Sequence, residues 1–107
     1  MGNYRNRLDI IADILHVVNK EGVKKTQIMY QANLSYKLLT RYLTEVIETC
    51  LIRFEHKKRR YLLTSKGKKF LEKYKDYSRR NKHVEKQLND IRAKKRALEE
   101  LCSNSQT

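Results

Sequence analysis

One stretch of the chain decides its fold: Leu51-Ile52-Arg53-Phe54-Glu55-His56-Lys57-Lys58-Arg59-Arg60-Tyr61-Leu62-Leu63-Thr64-Ser65-Lys66-Gly67. Apolar and polar residues alternate on both sides of four consecutive cations, which predicts two short strands joined by a basic tip. These cations are too costly to bury without partners, so they face solvent or a polyanion. A merely solvated turn is the alternative reading. It is disfavoured because the tip has no Gly, Asn, Asp or Pro.

Positive charge is concentrated in one part of the chain. The 107 residues carry a formal net charge of +13, and residues 53–96 contain eighteen Lys and Arg against five Asp and Glu. Such a concentration favours polyanionic partners, of which nucleic acids and anionic membrane surfaces are the common ones. The sequence has no run of about 18 apolar residues, which disfavours a membrane-spanning helix. We therefore expect a cytoplasmic protein with a nucleic-acid partner and no membrane partner.

Three helices are predicted before the hairpin. Apolar residues recur at steps of three and four in the first and third of them, and Gly22 is a natural stop after the first. Only Asn33, Leu34 and Ser35 separate the second helix from the third. The predicted helices are 8–18, 27–32 with Thr26 as N-cap, and 36–49 with Ser35 as N-cap.

The third predicted helix has two contrasting faces. Its apolar face runs from Leu39 through Leu43, Val46 and Ile47 to Cys50. The opposite face carries hydroxyls, an aromatic ring and cations, which are side chains that contact phosphates and base edges in a major groove. An ordinary solvated helix would also be polar there, but the position after a short helix and a tight turn favours nucleic-acid contact. The candidate contacts are Ser35, Tyr36, Lys37, Thr40, Arg41 and Thr44 of this helix, and Lys57, Lys58, Arg59 and Arg60 of the hairpin tip.

A heptad pattern follows the hairpin. A helix from Lys66 to about Leu101, capped by Thr64 or Ser65, would be roughly 54 Å long. A small domain cannot cover the apolar seam of so long a helix, so the seam needs a partner strand. The simplest partner is a second copy of the chain in a two-fold symmetric dimer. The candidate dimerisation residues are Tyr74, Tyr77, Asn81, Val84, Leu88, Ile91, Lys95 and Leu98.

Two polar residues in this seam bear on strand number and orientation. Asn81 and Lys95 occupy core positions of the heptad, and polar residues there usually limit a coiled coil to two strands. In a parallel dimer the two Lys95 side chains would meet in one layer. Antiparallel pairing separates them and lets Glu99 and Glu100 approach a basic region of the other chain. We therefore predict an antiparallel coiled coil, with a parallel one as the alternative.

The whole pattern resembles a winged helix-turn-helix domain. Three segments more narrowly resemble the archaeal "10a" group of small basic chromatin proteins and regulators: Lys25-Thr26-Gln27-Ile28-Met29-Tyr30, Ala32-Asn33-Leu34-Ser35-Tyr36 and Leu63-Thr64-Ser65-Lys66-Gly67. The resemblance covers residues 7–77. It implies a nucleoid-associated homodimer that binds double-stranded DNA as a transcriptional regulator or chromatin protein. Its recognition helix, 35–50, would enter the major groove, and its basic wing, 56–61, would lie on the phosphate backbone.

The predicted architecture is mainly α with a small β-wing. A winged helix-turn-helix domain at 4–77 is followed by a long dimerisation helix at 66–102, continuous with the domain's last helix, and by a disordered tail at 103–107. The sequence departs from the family pattern at two places. Cys50 stands where such domains usually have Gly after the recognition helix, and the wing tip has no Gly.

Enzymatic chemistry is not indicated. His16, His56 and His83 lie in three different predicted elements without metal-ligand spacing. The three glycines do not form a phosphate-cradling loop. We expect no catalytic residue, metal, cofactor or small-molecule ligand. Two alternatives to duplex-DNA binding stay open. One is RNA binding by the same basic surface, disfavoured by the lack of an aromatic stacking platform, and the other is a coiled-coil protein-interaction module.

Overall fold

The computed structural model describes residues 5–18 and 21–103. Along these ranges the order of elements is α1 (Arg7–Val17), α2 (Lys25–Gln31), α3 (Tyr36–Glu48), β1 (Ile52–Glu55), β2 (Arg60–Leu63) and α4 (Ser65–Cys102). The chain divides into two compact units, of which the first, the winged unit, ends at Tyr74 and the second, the C-terminal unit, begins at Lys75. The predicted fold class, mainly α with a small β-wing and a long last helix, is confirmed.

The winged unit has one apolar core to which α1, α2, α3 and the start of the hairpin all contribute. Burying one aliphatic side chain of this size stabilises a fold by roughly 1.5–3 kcal/mol. The core-facing stripe of α3 ends at Val46, so the prediction that it continues through Ile47 and Cys50 is wrong. Both are exposed because the chain leaves the helix at Thr49 and turns into β1. The largest fully buried side chains are Ile14, Leu15, Val18, Ile28, Leu39, Val46 and Ile52.

The N-caps of α1 and α3 follow from local sequence, whereas that of α2 does not. Asn6 and Asp9 form a capping box at α1, and the Ser35 hydroxyl accepts a hydrogen bond from the Leu38 N–H, 3.2 Å away, as predicted. Thr26 is not the cap of α2. The N-cap is Lys24, without a side-chain hydrogen bond. Backbone pairing with Tyr61 holds Val23 extended, and the helix begins two residues later.

That pairing joins the wing to the helix-turn-helix. β1 and β2 are antiparallel, with Ile52 opposite Leu63 and Phe54 opposite Tyr61. On the other edge of β2, Tyr61 exchanges two backbone hydrogen bonds with Val23, of 2.8 and 3.0 Å. Gly22 precedes this bridge at a φ of +90°, and a Cβ there would lie 3.0 Å from that of Arg60. The wing is therefore held on both edges of its second strand.

The Leu63 to Gly67 segment connects the start of α4 to the end of α3. The Thr64 hydroxyl accepts the Gly67 N–H at 3.0 Å and lies 2.6 Å from the Cys50 carbonyl oxygen. The Lys66 ammonium donates to the Thr49 carbonyl at 2.8 Å, while a Cβ on Gly67 would sit 2.2 Å from the Leu51 carbonyl oxygen. This segment, one of the three that carry the family resemblance, thus holds the structure together, and Thr64 rather than Ser65 is the cap of α4.

Both departures from the family pattern are resolved by left-handed backbone. Cys50 has a φ of +63° and closes the recognition helix where glycine would be easier, and Arg59 has a φ of +53° and closes the wing tip. A non-glycine residue in this region costs roughly 1–2 kcal/mol. The chain therefore forms both tight turns without glycine.

The C-terminal unit consists of the later turns of α4. Its apolar side chains are exposed along the predicted seam, where Val84, Leu88, Ile91 and Leu98 are 57%, 41%, 60% and 65% exposed. Nothing within the described residues of this unit covers them. The predicted disordered tail, 103–107, lies outside the described residues from position 104 onward.

Candidate nucleic-acid interface

The recognition face consists of five exposed residues on one side of α3: Tyr36, Lys37, Thr40, Arg41 and Thr44. Buried Leu39, Leu43 and Val46 fix the opposite side of the helix in the core. The helix can therefore present this face only outward. The structure brings together all the recognition-helix residues that the sequence predicted, with Ser35 at the helix start.

The turn before α3 is fixed by a residue distant in sequence. The Arg5 guanidinium donates to the Ala32 carbonyl at 2.7 Å and to the Asn33 carbonyl at 2.8 Å, and it pairs with Asp13 of α1 at 2.9 Å. Asn33 itself has a φ of +55°, a conformation that Asn tolerates better than most residues. Arg5 thus satisfies carbonyls at the end of α2 and fixes the angle at which α3 follows.

Lys25, at the start of α2, belongs to the same surface although sequence reasoning did not include it. Its ammonium lies 4.0 Å from the centre of the Tyr36 ring and donates to the Thr40 hydroxyl at 2.9 Å. A cation over an aromatic face and a hydroxyl acceptor both restrain a lysine that would otherwise be free to rotate. No spacing rule links positions 25, 36 and 40, so only the packing of α2 on α3 reveals the cluster.

Hydroxyl groups on the recognition face are partly committed. Thr40 donates to the Tyr36 carbonyl at 2.9 Å, and Thr44 donates to the Thr40 carbonyl at 3.1 Å. Such bonds to the preceding turn fix each side-chain rotamer. Their oxygens can still accept a hydrogen bond from a base, and Lys25 already uses Thr40 in this way. Arg41 lies 5.4 Å from the centre of the Tyr42 ring.

The wing tip presents the second group of predicted contacts. Residues His56 to Arg59 form the turn and Arg60 begins β2; all five are exposed. Phe54 packs against Tyr61 across the strands, with ring centres 4.8 Å apart, and its ring meets the His56 ring edge-on at 5.0 Å. This aromatic cluster supports the hairpin from within, so the four cations Lys57 to Arg60 are carried on a braced element.

The described residues are also free of two other kinds of feature, a metal-binding cluster and a membrane-spanning helix. Residues 5–18 and 21–103 contain no group of three or more His, Cys, Asp and Glu side chains that could hold a metal ion. In the same ranges no helix is long and apolar enough to cross a bilayer. Cys50 and Cys102 are both exposed free thiols.

The chain belongs to the winged helix-turn-helix family, whose model matches residues 4–82. Two relatives come from the archaeon Methanocaldococcus jannaschii and are themselves uncharacterized: protein MJ0290, 37% identical over 75 residues, and protein MJ0287, 34% identical over 65 residues. These matches take in 70% and 61% of this chain but only 35% and 65% of the two relatives.

One solved structure has the same fold over almost the whole chain. It is Sso10a-2, a DNA-binding protein from Sulfolobus solfataricus, with a TM-score of 0.58 and 23% identity, covering 94% of this chain and all of that one. The predicted likeness to winged helix-turn-helix proteins of the archaeal 10a group is confirmed, and at this identity the match establishes the shared fold.

Proposed function

We propose that the chain binds double-stranded DNA as a homodimer, with α3 in the major groove and the wing on the phosphate backbone. One observation carries the proposal: the winged unit exposes a polar recognition face and a braced four-cation tip, while Leu39, Leu43 and Val46 on the opposite side of α3 are buried. Family membership supports the same reading, and Sso10a-2, which shares the fold, is described as a DNA-binding protein. A role in transcriptional regulation or chromatin organisation would follow.

The cations and the uncharged side chains would have different roles in DNA binding. Lys25, Lys37 and Arg41 with the four wing cations supply seven positive charges, which would pair mainly with phosphates and set affinity. Tyr36, Thr40 and Thr44 present an aromatic ring and hydroxyls that can meet base edges and thymine methyl groups. If all seven cations pair, log affinity should fall with log salt at a slope of about −6 for each winged unit.

A titration tests the DNA reading. A labelled random-sequence duplex of about 30 base pairs, enough for roughly three turns of B-form helix, is titrated at several salt concentrations with single-stranded RNA as competitor. We expect tight binding that weakens steeply with salt and resists the RNA. Preference for the RNA would support the alternative of an RNA-binding protein and overturn the proposal.

The dimer is proposed from the exposed seam of the C-terminal unit. Val84, Leu88, Ile91 and Leu98 follow one another at steps of four, three and seven residues, and they face solvent in the single chain. A second copy would bury them as a coiled coil does. Sedimentation equilibrium should give twice the 12.9 kDa chain mass. A monomer at micromolar concentration would remove the homodimer and favour a different coiled-coil partner.

Tyr74 and Tyr77 enter this proposal differently from the rest of the seam. Tyr74 belongs to the winged unit, where its hydroxyl donates to Asp9 and its ring stacks on Phe70 with centres 6.1 Å apart. Tyr77 is 45% exposed. A dimer contact at Tyr74 stays a prediction, and the exposed part of the seam begins beyond this residue.

Strand orientation can be tested with the chain's own thiol. Cys102 continues the heptad spacing as a core position and is exposed. In a parallel dimer two Cys102 residues would share one layer, close enough for a disulfide, whereas antiparallel pairing places them at opposite ends. In a Cys50→Ser background, mild oxidation should therefore give no cross-linked dimer. Rapid, complete cross-linking would establish the parallel arrangement instead.

A further inference from the structure

The outer face of the C-terminal unit carries a cationic stripe that the proposed function does not use. The stripe consists of Lys75, Arg79, Lys82 and Lys86, all exposed and spaced four, three and four residues apart. With Leu88 and Lys95 as heptad positions a, these four residues fall at positions b and f, opposite the apolar seam. A dimer formed through the seam would leave them facing outward.

The next two heptads of the same helix show that the stripe is local. Their b and f positions hold Asn89, Ala93, Arg96 and Glu100, which together carry no net charge. The corresponding positions of the stripe carry four positive charges and no acid. Either set of exposed polar residues would keep the helix soluble. The excess of positive charge on the stripe therefore needs a more specific cause.

The stripe is also unfavourable for the free helix. Neighbouring like charges at spacings of three and four destabilise a helix. Outside the stripe, Lys94 is paired with Asp90, 2.9 Å away. On the stripe, Lys75, Lys82 and Lys86 have no hydrogen-bond or ion-pair partner among the described residues, and only Arg79 has one, Asp76 at 2.5 Å. A polyanion would relieve this repulsion.

We propose that Lys75, Arg79, Lys82 and Lys86 form a second contact surface for the phosphates of duplex DNA, outside the winged unit. The stripe is about 16 Å long, which matches the rise of roughly five base pairs. It offers cations on one face and no aromatic platform, so it would contact the backbone without reading sequence. This inference rests on the proposed function and extends its DNA-binding surface.

Asp76 neutralises part of the positive charge at the stripe. It binds Arg79 and also Arg80, the latter at 3.0 Å. Hydrogen bonds from Arg80 and Arg79 lower the pKa of its carboxyl, and the carboxylate competes with phosphate for these two guanidinium groups. Asp90 is its matched counterpart, since it occupies the same heptad position and binds Lys94 in the same way.

Lysine acetylation footprinting on the unmodified full chain tests the proposal. The protein is acetylated with and without a 30-base-pair duplex, about three helical turns, and each lysine is quantified by mass spectrometry. We expect the duplex to protect Lys57 and Lys58 of the wing and Lys75, Lys82 and Lys86 of the stripe, with Lys94 as the unprotected internal control.

Failure of the inference and failure of the proposed function give different footprints. Protected wing lysines with a stripe that reacts as in the free protein would overturn the inference alone. Protection of Lys94 as strong as that of the stripe would also overturn it, since the helix would then be coated without preference. If no lysine is protected, the proposed function fails and the inference fails with it.

A pair of matched variants gives a second readout. Asp76→Asn frees two arginines on or beside the stripe, and Asp90→Asn frees Lys94 outside it, with the same change in net charge. Because exposed ion pairs are weak, we expect Asp76→Asn to tighten duplex binding by about two- to fivefold. Asp90→Asn should change it less. Equal effects of the two variants would contradict a localised surface.

Discussion

The winged unit and the C-terminal unit both carry apolar side chains at helical spacing, but the apolar face of α3 is buried and that of the C-terminal unit is exposed. Leu39 of α3 is fully buried by the winged unit's own elements, whereas Leu88 of α4 is 41% exposed and Ile91 is 60% exposed. The periodicity of apolar residues shows that a helix has an apolar face that must be buried. Which partner covers it depends on whether other elements of the chain can reach that face.

The same substitution in both units separates the two situations. Leu39→Ala removes a fully buried side chain and should lower the free energy of unfolding by about 2–5 kcal/mol, whatever the protein concentration. Leu88→Ala should instead weaken the proposed dimer, so that its effect grows on dilution. Urea unfolding followed by tyrosine fluorescence, at several protein concentrations, measures both.

Two outcomes would break this comparison. A Leu88→Ala effect independent of concentration would mean that the seam is covered within one chain. A Leu39→Ala variant as stable as the wild type would contradict the core assigned to the winged unit.

Alanine substitutions at Gly67 and at Asn89 compare the start of α4 with its exposed C-terminal part. In an ordinary exposed helix Gly→Ala is stabilising by about 1 kcal/mol, but at Gly67 the new Cβ would lie 2.2 Å from the Leu51 carbonyl oxygen. We expect Gly67→Ala to destabilise the winged unit by about 1–3 kcal/mol. Asn89→Ala, on the exposed C-terminal unit, should be neutral or slightly stabilising. Thermal unfolding of the two variants measures the difference, and a stabilised Gly67→Ala would contradict the close approach.

Substitutions of two lysines, Lys25 and Lys94, give the smallest expected contrast. Lys25→Gln removes the cation held by Tyr36 and Thr40 and should weaken duplex binding by about 1 kcal/mol, roughly fivefold, with unchanged stability. Lys94→Gln removes a lysine paired with Asp90 on the C-terminal unit and should leave binding nearly unaltered. Fluorescence anisotropy at one salt concentration is enough. Equal losses would mean that Lys25 acts only through the net charge.

Local signals account for much of what the sequence predicted. The Ser35 cap, the hairpin around Lys57 to Arg60 and the continuous α4 each follow from neighbouring residues. The polar face of α3 also follows, because its periodicity is local. The pattern placed Ile47 on the apolar face of α3, yet Ile47 is exposed, because periodicity cannot show where the chain turns away from the core.

Contacts between distant segments account for what the sequence could not predict. The Val23 to Tyr61 bridge displaced the expected Thr26 cap, and Arg5 fixes the turn before α3. Lys25 joins the recognition face only because α2 packs beside α3. These three features depend on tertiary geometry, and no spacing along the chain indicates them.

The most direct test of the account compares the wild type with the wing variant Lys57→Ala, Lys58→Ala, Arg59→Ala, Arg60→Ala on two duplexes of unrelated sequence across a range of salt. The account predicts that the variant loses affinity by a similar factor on both duplexes and that its salt slope becomes shallower by about 3 to 4. Unchanged affinity and slope would contradict the assignment of the wing as a phosphate-binding element.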